Sequence, residues 1–129
     1  MKEDMHMEAF RERRETMLKW AVEVRGLEKS QRIIGDNASR AVAELLSAYL
    51  HKKRKIREGF QINHTWFKSE KADEKFPEFE GKEKIIPKMV RLENLCEKLS
   101  YGAPKKVEIV KETVKLFEEI EKLIIGKMM

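Results

Sequence analysis

The stretch QRIIGDNASRAVAELLSAYLHKK, residues 31–53, decides the fold. Ala38, Ala41, Val42, Leu45, Ala48 and Tyr49 recur at three- and four-residue steps, the period of one face of an α-helix. This helix is predicted to begin between Glu28 and Asp36 and to run to about Lys53. Gly35 inside it costs about 1 kcal/mol against alanine, so it asks for a reason such as close approach of another helix. Asp36 beside it brings a carboxylate to that contact. The apolar face ends in a basic cluster of His51, Lys52, Lys53, Arg54, Lys55 and Arg57.

The same period extends to either side. Phe10, Met17, Leu18, Ala21 and Val24 share roughly one face of a first helix over about 4–25, which Gly26 stops. Residues 58–82 lack a clean period; a short helix is expected around His64–Lys75. Ile85, Ile86, Met89, Val90, Leu92, Leu95, Cys96 and Leu99 give a wide apolar face to a helix over about 83–100. After a break at Tyr101–Pro104, Val107, Val110, Val114, Phe117, Ile120 and Ile124 line a last helix, and Pro104 suits its start. Nothing alternates in the manner of a strand and nothing repeats. The expectation is an all-α, compact bundle of about five helices in one domain over 1–129.

Composition bounds the function classes. Of 129 residues, 41% are hydrophobic, enough to bury a core, so disorder from low hydrophobicity is excluded. No apolar run approaches the ~18 residues of a membrane span, and no basic-then-apolar leader opens the chain. One cysteine, Cys96, excludes an internal disulfide and a cysteine-based zinc site. A cytoplasmic location is therefore expected. Charged residues make up 40% while amides are few, as expected of a thermophile's protein. Lys and Arg number 28 against 23 Asp and Glu, a formal charge of +5.

Residues 28–102 resemble the endonuclease domain of ribonuclease III. Its signature helix has an apolar pair before Gly-Asp, a long amphipathic run, then Tyr-Leu and basic residues. Ile33-Ile34-Gly35-Asp36, Leu45-Leu46, Tyr49-Leu50 and Lys52-Lys53 fall in those places. Glu58-Gly59 resembles the acidic-glycine step that follows. Arg91-Leu92-Glu93-Asn94-Leu95, running to Tyr101-Gly102, looks like the second acidic helix. The resemblance implies a helical homodimer that cleaves double-stranded RNA with Mg²⁺ held by carboxylates. Asp36 and Glu93 match two of the metal-holding catalytic positions; Arg32 and Val90 stand at the other two. Ala38, Ala41 and Ala48 would let the signature helices of two copies approach closely. Mg²⁺ suits such a site because it takes a few hard oxygens and activates water for in-line attack on phosphate.

Other readings stand beside this one. Arg32, Asp36 and Arg40 lie at i, i+4 and i+8, a spacing that favours an Arg–Asp–Arg ladder. Lys52, Lys53, Arg54, Lys55 and Arg57 form a candidate nucleic-acid-binding patch, attracting phosphate by counterion release. A solvated helix end is the plainer account of the same run. Arg57 and His64 satisfy the loose Arg-then-His pattern of HEPN-type ribonucleases, in which histidine would be general acid or base without a metal. Phe60, Trp66, Phe67, Phe76 and Phe79 either stack on bases or plug the end of the core. The sequence thus points to an RNA-binding or RNA-processing protein, its enzymatic status open. A catalytically inactive helical dimer serving as scaffold or regulator is the remaining alternative.

Overall fold

At the centre of the computed structural model, which describes residues 3–129, lies one helix wrapped by three others. We label these α1 (Glu3–Glu15), α2 (Gln31–Lys52), α3 (Lys82–Ser100) and α4 (Val107–Met128). No strand occurs among the described residues, and the all-α expectation holds. α2 is the central element and packs against each of the others. Its Ile34, Ala38, Ala41, Val42, Leu45, Leu46, Ala48 and Leu50 are 0% exposed. Burial of each large apolar side chain is worth about 1.5–3 kcal/mol, and α2 meets the apolar faces of all three neighbours, so every layer of the core includes it.

Burial also corrects the expected dimer contact. Ala38, Ala41 and Ala48 are consumed inside the chain, where they admit the neighbouring helices, and offer no surface to a second copy. Gly35 has the reason the sequence demanded. A Cβ there would meet Ser100 Oγ at 2.6 Å and the Cys96 carbonyl oxygen at 2.8 Å, so α2 and α3 touch backbone to backbone.

α1 does not end at Glu15. From Thr16 to Arg25 the helix widens to i→i−5 bonding, ending on a Gly26 N–H to Ala21 carbonyl bond at 2.9 Å. Gly26 has φ 93°, a conformation that favours glycine, and so stops the helix as the sequence suggests. Met17 and Ala21 of the widened turn face the core, whereas Val24 is 65% exposed, contrary to its assignment to the apolar face. A single 3₁₀ turn, Glu28–Ser30, leads into α2.

Between α2 and α3 the chain makes two 3₁₀ turns, His64–Lys68 and Ala72–Lys75, instead of one short helix. Phe67, Phe76 and Phe79 plug the core's end, and Phe67 stacks on Phe76 at 5.5 Å. Tyr49, fully buried, donates its hydroxyl to the Glu80 carbonyl and ties this segment to α2. α4 starts at Val107, later than Pro104 suggested. The reason lies in a side chain: Gln31 donates to the Lys105 carbonyl and accepts from its N–H, each at 2.8 Å, holding that residue outside the helix.

Candidate active site

Glu93 lies on the buried side of α3, between Leu92 and Leu95, and is only 4% exposed. A carboxylate so deep needs donors. Ser39 of α2, itself buried, donates its hydroxyl to Glu93 Oε1 at 2.5 Å. His64 Nδ1 lies 3.0 Å from the same oxygen.

His64 is carried to this point by local turn chemistry. Asn63 Oδ1 accepts from the Thr65 N–H at 2.9 Å and the Thr65 hydroxyl at 2.8 Å, which starts the turn. Phe67, 0% exposed, anchors the same turn from below. His64 is thereby suspended between core and solvent, 26% of its side chain exposed. Its other nitrogen, Nε2, faces Arg40 Nε at 3.1 Å. An arginine Nε–H only donates, so Nε2 accepts and the ring hydrogen sits on Nδ1, directed at Glu93. Arg40 also donates through Nη1 to the Asp36 carbonyl at 3.3 Å.

Asp36, Ser39, Arg40, His64, Lys68 and Glu93 border one small pocket of about 50 Å³ between α2, α3 and the His64 turn. The two sequence-matched carboxylates therefore reach the same place. Each is engaged by protein: Asp36 Oδ1 accepts from Ser100 Oγ at 2.7 Å, and Glu93 is held by Ser39 and His64. No group of three or more His, Cys, Asp or Glu side chains among the described residues is arranged to hold a metal ion. Arg32 is exposed, and Val90 lines a different groove with Ile86 and Pro87. The donor set does not fit a Mg²⁺ cluster.

Two sequence expectations are corrected here. The Arg32–Asp36–Arg40 ladder does not form among the described residues, because Ser100 takes the Asp36 carboxylate and His64 takes the Arg40 guanidinium. The Arg57–His64 pairing is replaced as well; Arg57 is exposed in the turn after α2, where its carbonyl accepts the Phe60 N–H. Ser39 and Arg40 went unread as site residues. Their signal is spacing: Ser39 and Arg40 stand three and four residues after Asp36, along one edge of α2.

The basic run follows α2 into a reversal at Arg54, whose φ is 56°. Lys52, Lys53, Arg54, Lys55 and Arg57 are all exposed and enter no ion pair among the described residues. His51 instead turns inward and stacks on His6 with ring centroids 5.2 Å apart. Burial, then the neighbouring His6, lowers the His51 pKa from its ordinary value. His6 is 2% exposed, and its Nδ1 lies 2.6 Å from Glu44 Oε2. No family model, curated protein or solved structure matches this chain.

Proposed function

We propose that this chain is an RNA-processing protein that cleaves phosphodiesters without a metal, using His64 as general base. The observation that carries the reading is one line of contacts: Glu93 Oε1 to His64 Nδ1 at 3.0 Å, then His64 Nε2 to Arg40 Nε at 3.1 Å. A buried carboxylate that fixes one ring nitrogen leaves the other with its lone pair outward, the form a base requires. Glu93 is a positioning residue in this scheme.

RNA supplies its own nucleophile. The 2′-hydroxyl gives its proton to His64 Nε2 and its oxygen attacks the adjacent phosphorus. The P–O5′ bond breaks, leaving a 2′,3′-cyclic phosphate and a 5′-hydroxyl, the latter protonated from the Lys68 ammonium on the same pocket wall. Arg40 turns from His64 to the phosphate, whose charge its planar fork matches. Lys52, Lys53, Arg54, Lys55 and Arg57 hold the RNA backbone. The scheme follows the HEPN-type pattern, with Arg40 in the role that spacing gave to Arg57. Homodimerisation, which the ribonuclease III resemblance implies, would double the +5 charge.

The test is incubation of the full chain with a labelled RNA containing both duplex and single strand, in EDTA and in Mg²⁺. Cleavage is expected in EDTA with cyclic-phosphate ends, reduced at least about 100-fold by His64→Ala and unchanged by Asp36→Asn. Cleavage that requires Mg²⁺ and disappears in Asp36→Asn overturns the proposal for the ribonuclease III-like mechanism. Binding without cleavage, or no binding at all, overturns it for a binding module or a scaffold respectively.

A further inference from the structure

We propose that the groove on the far side of Arg40 and His64 seats a guanine base of the RNA, selected by the carboxylate of Glu44. The inference rests on the ribonuclease reading and adds the identity of the base beside the scissile phosphate. The groove has a volume of about 460 Å³, and Arg40 and His64 form a wall common to it and the small catalytic pocket. That volume falls within the range of pockets that hold a small molecule, so one nucleoside fits.

Glu44 stands on α2 one turn beyond Arg40 and lines this groove. Oε2 is pinned from the core side by His6 at 2.6 Å, and the side chain is 27% exposed. Oε1 takes no hydrogen bond among the described residues. An ionised carboxylate accepts and never donates, and this one is fixed in orientation before any ligand arrives. Guanine alone among the four RNA bases presents two neighbouring donors, N1–H and the N2 amino group, on its Watson–Crick edge. Adenine and cytosine set one amino group beside an acceptor nitrogen, and uracil sets one N–H between two carbonyls. With Oε2 engaged by His6, Oε1 is the acceptor left, and the guanine N1–H and N2–H converge on it as a forked pair. Each other base brings a single N–H with an acceptor lone pair beside it, a weaker fit of the kind polar sites discriminate against.

Two further groups complete the fit. Arg13, held through Nη1 by Asn37 Oδ1 at 3.3 Å, lines the groove as a donor for the O6 and N7 edge of the same base. Trp66 supplies an aromatic wall, and edge contacts with Phe60 at 6.0 Å and Phe76 at 5.8 Å hold it in place. Stacking on an already ordered ring is the usual way single-stranded bases are held.

The experiment is equilibrium titration of the full-length chain with the 3′-monophosphates of guanosine, adenosine, cytidine and uridine. Trp20 is 54% exposed, so a Trp20→Phe background makes Trp66 the sole indole reporter; calorimetry provides a second readout. The guanosine nucleotide is expected to bind at least about tenfold tighter than each of the others. Glu44→Gln, which retains an oxygen for His6 but turns an amide donor toward the base, is expected to erase that preference in a chain that still unfolds cooperatively on heating. Equal affinities for all four nucleotides, or no guanosine binding up to ~10 mM, overturn the proposal on the unmodified protein alone. A guanine preference that persists in folded Glu44→Gln overturns the role of Glu44. The outcomes separate from those of the cleavage assay: guanosine binding with no cleavage of RNA refutes the ribonuclease reading and leaves the groove, while cleavage with indifferent nucleotide binding does the reverse.

Discussion

The Cα of Gly35 stands so close to α3 that a Cβ on it would lie 2.8 Å from the Cys96 carbonyl oxygen. A backbone oxygen cannot rotate away, so α3 itself must shift to admit a methyl group. Alanine returns about 0.5–1 kcal/mol of helix propensity, whereas overpacking costs about 1–3 kcal/mol. The difference is about 0–2.5 kcal/mol, and because the 2.8 Å contact is with backbone, Gly35→Ala is expected to destabilise the fold by about 1–2 kcal/mol. Urea unfolding should show a lower midpoint with an unchanged slope. A midpoint equal to or above the parent's would refute the contact.

That relationship was legible in the sequence because it is local: a glycine interrupts an otherwise regular helical face, and only proximity explains it. The span of α2, the stop at Gly26 and the apolar face of α3 were legible for the same reason, since period and turn residues are properties of short windows. The widening of the helix at Thr16–Arg25 was not, because no residue there breaks the period. Asp36 and Glu93 do share a pocket, yet their partners Ser100, Ser39 and His64 are set by how α2, α3 and a non-periodic loop meet. Arg40 illustrates the difficulty. Helical spacing offers it Asp36, and tertiary packing gives it a histidine 24 residues away.

Ser39→Ala removes one of two donors from a carboxylate that is 4% exposed. Loss of a partner from a buried charged group costs about 1–3 kcal/mol, and the deleted atom is too small for water to replace it readily. Thermal or urea unfolding should register a loss in that range, while Lys98→Ala, an exposed control on α3, should leave stability within about 0.5 kcal/mol.

The His6–His51 stack ties stability to pH. Burial and the adjacent His6 lower the His51 pKa, so the folded chain binds this proton less readily than the unfolded chain does. The stabilisation is then fully present above the unfolded value of about 6.5 and is lost as pH falls through the lower folded value. Melting temperatures recorded from pH 8 to pH 5 should fall toward acid, and more steeply than in His51→Gln. Parallel curves for the two proteins would show that His51 carries no linkage.

Cys96 is 3% exposed, and desolvation pushes its thiol up to about 12. At neutral pH almost none of it is thiolate, the reactive form. A thiol reagent such as iodoacetamide is expected to leave the folded chain unmodified and to label it fully in denaturant. The labelling rate in between therefore reports opening of the α2–α3 contact, and Gly35→Ala should raise it. Rapid labelling of the native protein would mean that α3 is far less closely packed.

Under the proposed function, the five cations at and just beyond the end of α2 decide how RNA binding responds to salt. Lys52, Lys53, Arg54, Lys55 and Arg57 have no acidic partner among the described residues, so nothing must be broken before they meet phosphate. Each phosphate neutralised on a single strand contributes about −0.7 to the slope of log K against log salt, so five contacts give about −3.5. The double substitution Lys53→Ala/Lys55→Ala should flatten the slope by about 1.4 and weaken binding alike for all sequences. Any guanine preference should survive it, because Glu44 lies on the groove that Arg40 and His64 wall, outside the basic run. A slope near zero in the parent, or one that the double variant leaves unmoved, would return these residues to the role of a solvated helix end.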